Sequence, residues 1–86
     1  MRIRVVVTGR SYQLADDVPA ELELSAEATV QQAIDQINSH LAEGAELPGS
    51  CLVAVSGRHL GRIADGPQHA LRDGDELVLV APVAGG

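Results

Sequence analysis

Arg72-Asp73-Gly74-Asp75-Glu76-Leu77-Val78-Leu79-Val80-Ala81-Pro82-Val83-Ala84-Gly85-Gly86 decides how this chain is read. Asp73-Gly74 is a turn signal, because Asp bonds its own backbone and Gly accepts positive φ without steric cost. Residues 76–81 form an aliphatic run that predicts a strand. Strand side chains alternate, so Leu77 and Leu79 share one face and Val78 and Val80 share the other. Pro82 has no N–H and ends strand pairing. A short tail, 82–86, then closes the sequence on Gly-Gly. It sets an unbranched carboxylate on a short leash beside a folded body, and that carboxylate is the expected reactive group. The chain therefore divides into a domain, 1–81, and a flexible tail, 82–86. The tail is expected to be mobile, since few contacts hold residues 83–86.

The rest of the chain supplies elements for this strand to pack with. Arg2–Thr8 is β-branched, is bounded by Gly9 and predicts a first strand. Ile3, Val5 and Val7 fall on one face, Arg4 and Val6 on the other. Arg10–Pro19 is polar and reads as a loop. Ala20–Ser25 alternates, with Leu22 and Leu24 inward and Glu21 and Glu23 outward. Thr29 followed by Gln32 has the spacing of a capping box. Val30, Ala33, Ile34, Ile37 and Leu41 make an apolar stripe at helical period. A helix is expected over 30–43, with Gly44 as its stop. Ala45–Ser50 connects to a third strand, Cys51–Ser56. Gly57-Arg58 reads as a turn, His59-Leu60 as a short return strand and Asp65-Gly66-Pro67 as another turn. His69–Arg72 is expected to form a short helical turn that carries Leu71 inward.

Composition bounds the function. Eighty-six residues make one small domain, and 45% apolar content supports a folded core. Tyr12 is the sole aromatic residue, so that core must be aliphatic. The formal net charge is −6, and all six basic residues are arginine. Nucleic acid is not an expected partner, because non-specific binding to phosphate backbone needs clustered positive charge. An acidic surface suits solubility or a protein partner with a basic face. The single Cys51 excludes an internal disulfide and a CxxC site, and an iron–sulfur β-grasp protein would need a full set of Cys ligands. No apolar run has signal-peptide or membrane-span length, so no membrane is expected and the location is read as cytoplasmic.

Two strands, a helix, then two or three strands is the element order of an α+β, β-grasp (ubiquitin-like) fold. The chain resembles the ubiquitin-like sulfur carriers of the MoaD/ThiS family. The residues that carry the likeness are Leu71-Arg72-Asp73-Gly74-Asp75-Glu76, the aliphatic strand after them and Pro82-Val83-Ala84-Gly85-Gly86. Val53–Leu60 adds the apolar-then-Gly pattern of the third strand and turn. The D-G-D-E turn and P-V-x-G-G end resemble the small subunit of molybdopterin synthase most closely. The resemblance implies a mixed four- to five-stranded sheet with one main helix across one face, and the first and last strands adjacent and parallel at its centre.

It also implies a function. The Gly86 carboxylate would be adenylated by an E1-like activating enzyme using ATP, then converted to a thiocarboxylate. The sulfur would pass to an acceptor such as the molybdopterin synthase large subunit, in molybdenum cofactor synthesis. Gly85 and Gly86 lack Cβ atoms and suit a narrow enzyme cleft. Pro82, Val83 and Ala84 would line the approach, and Val78, Val80 and Ala54 would form an apolar docking surface on the open side of the sheet, near Val6. The chain itself would be no enzyme and would hold no cofactor and no metal. Thiamin or another sulfur metabolite, covalent protein modification of the ubiquitin type, and non-covalent interaction remain alternatives. Cys51 reads as a small buried hydrophobe. His40, His59 and His69 read as surface residues without ligand spacing. Asp73 and Asp75 are explained by turn chemistry. Arg58, Arg62 and Arg72 are solvated charges or a means of steering an acidic partner surface.

Overall fold

The computed structural model describes residues 1–8, 18–41, 47 and 49–81. Most of the loop expected at 10–19, the stop at Gly44, much of the 45–50 connector and the whole tail 82–86 lie outside the described residues.

The capping box at the helix start is complete. Thr29 Oγ1 accepts from the Gln32 N–H at 3.3 Å, and Gln32 Oε1 accepts from the Thr29 N–H at 2.9 Å. Two orphan donors are thereby satisfied at the start of α1, Val30–His40. Val30, Ala33, Ile34 and Ile37 are buried along one stripe. The helix stops at His40 rather than at the expected residue 43. Leu41 turns to extended backbone and sinks into the core. Asn38 holds the exit, its backbone O accepting from the Leu41 N–H and its Oδ1 from the Leu47 N–H. Burial of Leu41 thus competes with another helical turn and wins.

The sheet contains β1 (Arg2–Thr8), β2 (Glu21–Glu23), β3 (Leu52–Val55), β4 (Arg58–Arg62) and β5 (Glu76–Val80). Their order is β2-β1-β5-β3-β4. β1 and β5 are parallel and every other neighbouring pair is antiparallel. This is the mixed five-stranded β-grasp sheet, with β5 central. Leu77 and Leu79 are wholly buried on the face shared with Ile3, Ile34 and Ile37. Among the described residues no polar or charged side chain is buried, so this face is held together by aliphatic packing.

Two connections differ from the sequence reading. The β3–β4 turn is Ser56-Gly57, one residue earlier than expected, with φ of 47° and 88°. A two-residue hairpin favours positive φ at both central positions, since that twist matches the strands. Ser56 tolerates it because its N–H donates to the Glu76 O at 2.8 Å and its Oγ donates to Asp75 Oδ1 at 2.9 Å. β4 is also longer than the expected His59-Leu60. A bulge opposite Val53/Ala54 sets Leu60 against the core.

His69–Arg72 forms no helical turn. Ala70 makes an isolated antiparallel bridge to Thr29. The His69 O accepts from the Val30 N–H, and the Leu71 N–H donates to the Ala28 O. The segment is extended because it serves the unsatisfied donors at the helix start. Leu71 still points inward, at 4% exposure. Before it, Ile63–Asp65 forms a short 3-10 turn closed by Gly66 in left-handed backbone.

Candidate functional site

The D-G-D turn is a clasp for the sheet. Asp73 Oδ1 accepts from the Arg2 N–H at 2.8 Å, and the Gly74 N–H donates to the Arg2 O at 2.8 Å. Asp75 Oδ2 accepts from the Arg72 N–H, while its Oδ1 accepts from Ser56 Oγ. Gly74 has φ of 85°, a conformation that costs glycine little. The turn therefore fixes the start of β1, the β3–β4 hairpin and the entry to β5 together. Asp73 and Asp75 are consumed by backbone capping, as turn chemistry predicts.

At its other end β5 runs out beside β1. Thr8 pairs with Val80, and the Ala81 N–H donates to the Thr8 O at 2.8 Å. Ala81 is 3% exposed and is the last described residue. Pro82 has no N–H with which to repeat that bond. The chain thus reaches the tail from the centre of the sheet rather than from an edge. Pro82, Val83, Ala84, Gly85 and Gly86 themselves lie outside the described residues.

The open face of the sheet places the other expected residues together. Val78 pairs with Val6 on one side and Ala54 on the other, and Val80 pairs with Thr8 and Leu52. Residues paired across neighbouring strands project from the same face. Val78 and Val80 are half-buried, and Ala54, opposite Val78, is buried. Val6 is 41% exposed and Leu52 46%, both high for large apolar side chains. The sequence reading missed Leu52. The period of two counted back from Ala54 would have found it. Arg4 and Glu76 pair at 3.1 Å at one end of this strip, and Arg62, opposite Leu52, pairs with Asp65 at 3.2 Å. An apolar strip with a charged rim has the anatomy of a protein-binding surface.

The remaining candidates have structural explanations. Cys51 is 1% exposed, and burial pushes its thiol pKa up. That disfavours the thiolate needed for nucleophilic chemistry. His40 lies at the end of α1, His59 in β4 and His69 before the Thr29–Ala70 bridge. Among the described residues no group of His, Cys, Asp and Glu is arranged to hold a metal ion. Arg2 lies beside Glu23 and Glu21, which raise its pKa further. Among the described residues no helix is long and apolar enough to cross a membrane.

One helix on a five-stranded mixed sheet with a parallel central pair defines a ubiquitin-like β-grasp protein. Residues 5–86 match the ThiS family, and the chain belongs to it. Such proteins are in general non-enzymatic carriers that work with E1-like activating enzymes and acceptors. The fold is similar to the crystal structure of SAMP1 from Haloferax volcanii, with a TM-score of 0.70, 22% identity and 100% of each chain covered. At that identity the likeness shows the fold. No curated protein matches the sequence.

Proposed function

We propose that this protein is a sulfur carrier whose Gly86 carboxylate is adenylated and then converted to a thiocarboxylate. The observation that carries the reading is the family match, which extends through Gly85-Gly86. A carboxylate is a poor electrophile, so a partner enzyme must first join it to AMP from ATP, with release of pyrophosphate. Sulfide-level sulfur from a donor then attacks the acyl carbon and displaces AMP, leaving the thiocarboxylate. Tail residues 82–86 reach at most about 17 Å when extended, enough to carry Gly86 from the end of β5 into a partner's cleft. Glycine at 85 and 86 lets backbone approach nucleotide closely. Pro82, Val83 and Ala84 contact the walls of that cleft. The strip of Val78, Val80 and Ala54, widened by Val6 and Leu52, docks the globular domain. Catalysis resides in the activating enzyme, and the acceptor is an enzyme of molybdopterin synthesis such as the large synthase subunit.

Incubation of the protein with ATP, a sulfur donor and an adenylating enzyme of this class, followed by intact-mass measurement, tests the reading. The expected result is the mass gain of one oxygen-to-sulfur exchange, lost when Gly85-Gly86 is deleted. No gain with any enzyme of the class would overturn it. A second reading, covalent modification of other proteins, is favoured by the fold's likeness to SAMP1, a ubiquitin-like small archaeal modifier. Recovery of Gly86 in isopeptide linkage to cellular lysines would support that reading.

A further inference from the structure

Arginines in this chain are outnumbered by carboxylates, twelve to six. A guanidinium without an acidic partner is therefore the unusual case. Arg2, Arg4 and Arg62 each form an ion pair. Among the described residues Arg58 and Arg72 form none, and both line one cavity of about 470 Å³. His69, Ser56, Ala70, Val55 and Asp75 complete its walls. The volume falls within the range of roughly 300–1,000 Å³ typical of small-molecule sites.

The position of each arginine follows from the fold. Arg58 opens β4 directly after the Ser56-Gly57 turn. Arg72 opens the turn into β5, and its backbone N–H is held by Asp75 Oδ2 at 2.8 Å. Asp75 brings a negative charge to the cavity, but both its oxygens already accept hydrogen bonds, from Ser56 Oγ and from the Arg72 N–H. Both guanidinium groups are on exposed residues. They outnumber the single carboxylate, and His69 supplies a further nitrogen donor or acceptor. The residues that line the cavity carry two arginines against one aspartate, in a protein whose overall charge is −6.

We propose that this cavity binds a small phosphate monoester. A monoester at neutral pH carries close to two negative charges and several acceptor oxygens, which matches two planar guanidinium forks better than a single carboxylate does. Apolar surface from Val55 and Ala70 would receive the organic part of the ligand. The cavity adjoins the first residue of β5, whereas the tail leaves after its last. About 13 Å of strand separates Glu76 from Val80, the two ends of β5. The cavity therefore lies at the opposite end of β5 from Ala81, and its proposed ligand is independent of the chemistry proposed for Gly86.

The test is titration of the isotopically labelled full chain with inorganic phosphate at pH 7.5 and low salt, followed by amide chemical shifts. Saturable shifts are expected at Ser56, Arg58, His69 and Arg72. Arg58→Gln combined with Arg72→Gln should weaken binding at least tenfold, with Leu77 and Leu79 amide positions unchanged. Arg62→Gln, which alters a paired arginine on the same strand, should leave it as it was. If the double variant fails to fold, the two single variants carry the test, each weakening binding several-fold. The proposal is overturned by non-saturating shifts, by undiminished binding in the arginine variants, or by succinate binding as tightly as phosphate.

Discussion

Leu79→Ala and Val78→Ala are neighbouring truncations on one strand, and the fold requires them to behave differently. Leu79 is 0% exposed and packs in the core. Its truncation removes the γ carbon and both δ methyls. At ~0.8 kcal/mol for each buried carbon group, the transfer loss is about 2.4 kcal/mol. Incomplete collapse of the surrounding core adds a cavity cost, so the total should reach about 3–5 kcal/mol. A chain of this length has a total stability of roughly 4–13 kcal/mol. The loss is thus a large fraction of the whole. Val78 projects from the opposite face and is half-buried, so Val78→Ala should cost about 1 kcal/mol or less. Urea unfolding followed by circular dichroism is the assay. With a slope of about 1 kcal/mol per molar for a small domain, the midpoint should fall by about 3 M or more for Leu79→Ala and by about 1 M or less for Val78→Ala. Equal shifts, or a larger shift for Val78→Ala, would refute the assignment of faces. The docking surface would fall with it.

Further outcomes follow from the same structure. Val78→Arg should keep the fold within about 1 kcal/mol, because the long stem can lie along the strip with its charge in water. It should nonetheless slow activation by the partner enzyme at least tenfold, read as the rate of the sulfur mass gain. Thr29→Ala removes the helix cap and should cost about 0.5–2 kcal/mol in thermal or urea unfolding. Cys51 should resist a thiol reagent in native buffer and react fully in denaturant, since burial both hides the thiol and disfavours the thiolate. Asp65 accepts from the Arg62 backbone N–H and pairs with its guanidinium, which hold the carboxyl below its usual pKa. A depressed carboxylate stabilises the fold above its unfolded pKa of about 4 and loses that contribution as pH falls through the folded value. Wild type should therefore lose more stability between pH 7 and pH 2 than Asp65→Asn, measured by urea midpoints at both ends.

Local chemistry made much of this molecule legible. Thr29 and Gln32 announced the helix start, and the Val30–Ile37 stripe announced its buried face. The alternation in Ala20–Ser25 and in residues 76–81 assigned inward and outward residues, because side-chain direction in a strand is a local property. Asp73-Gly74-Asp75 was readable as a turn for the same reason. The helix end and the Ser56-Gly57 turn were not. Both depend on contacts distant in sequence: the burial of Leu41 with Leu47 tied to Asn38, and the grip of Asp75 and Glu76 on Ser56.

By itself, the amino-acid order determined the aliphatic core and the faces of β5. Resemblance supplied the strand order, and only the tertiary structure showed that order in this chain, because pairing between β1 and β5 joins residues more than seventy positions apart. That pairing puts Val6 beside Val78, and β3 puts Leu52 beside Val80, so scattered apolar residues become one strip. Pairing of β3 with β5 also gathers Arg58 and Arg72 around one cavity, from a hairpin and a turn that the sequence keeps apart. Period and turn chemistry act over a few residues. A surface made from three strands exists only after the chain has closed.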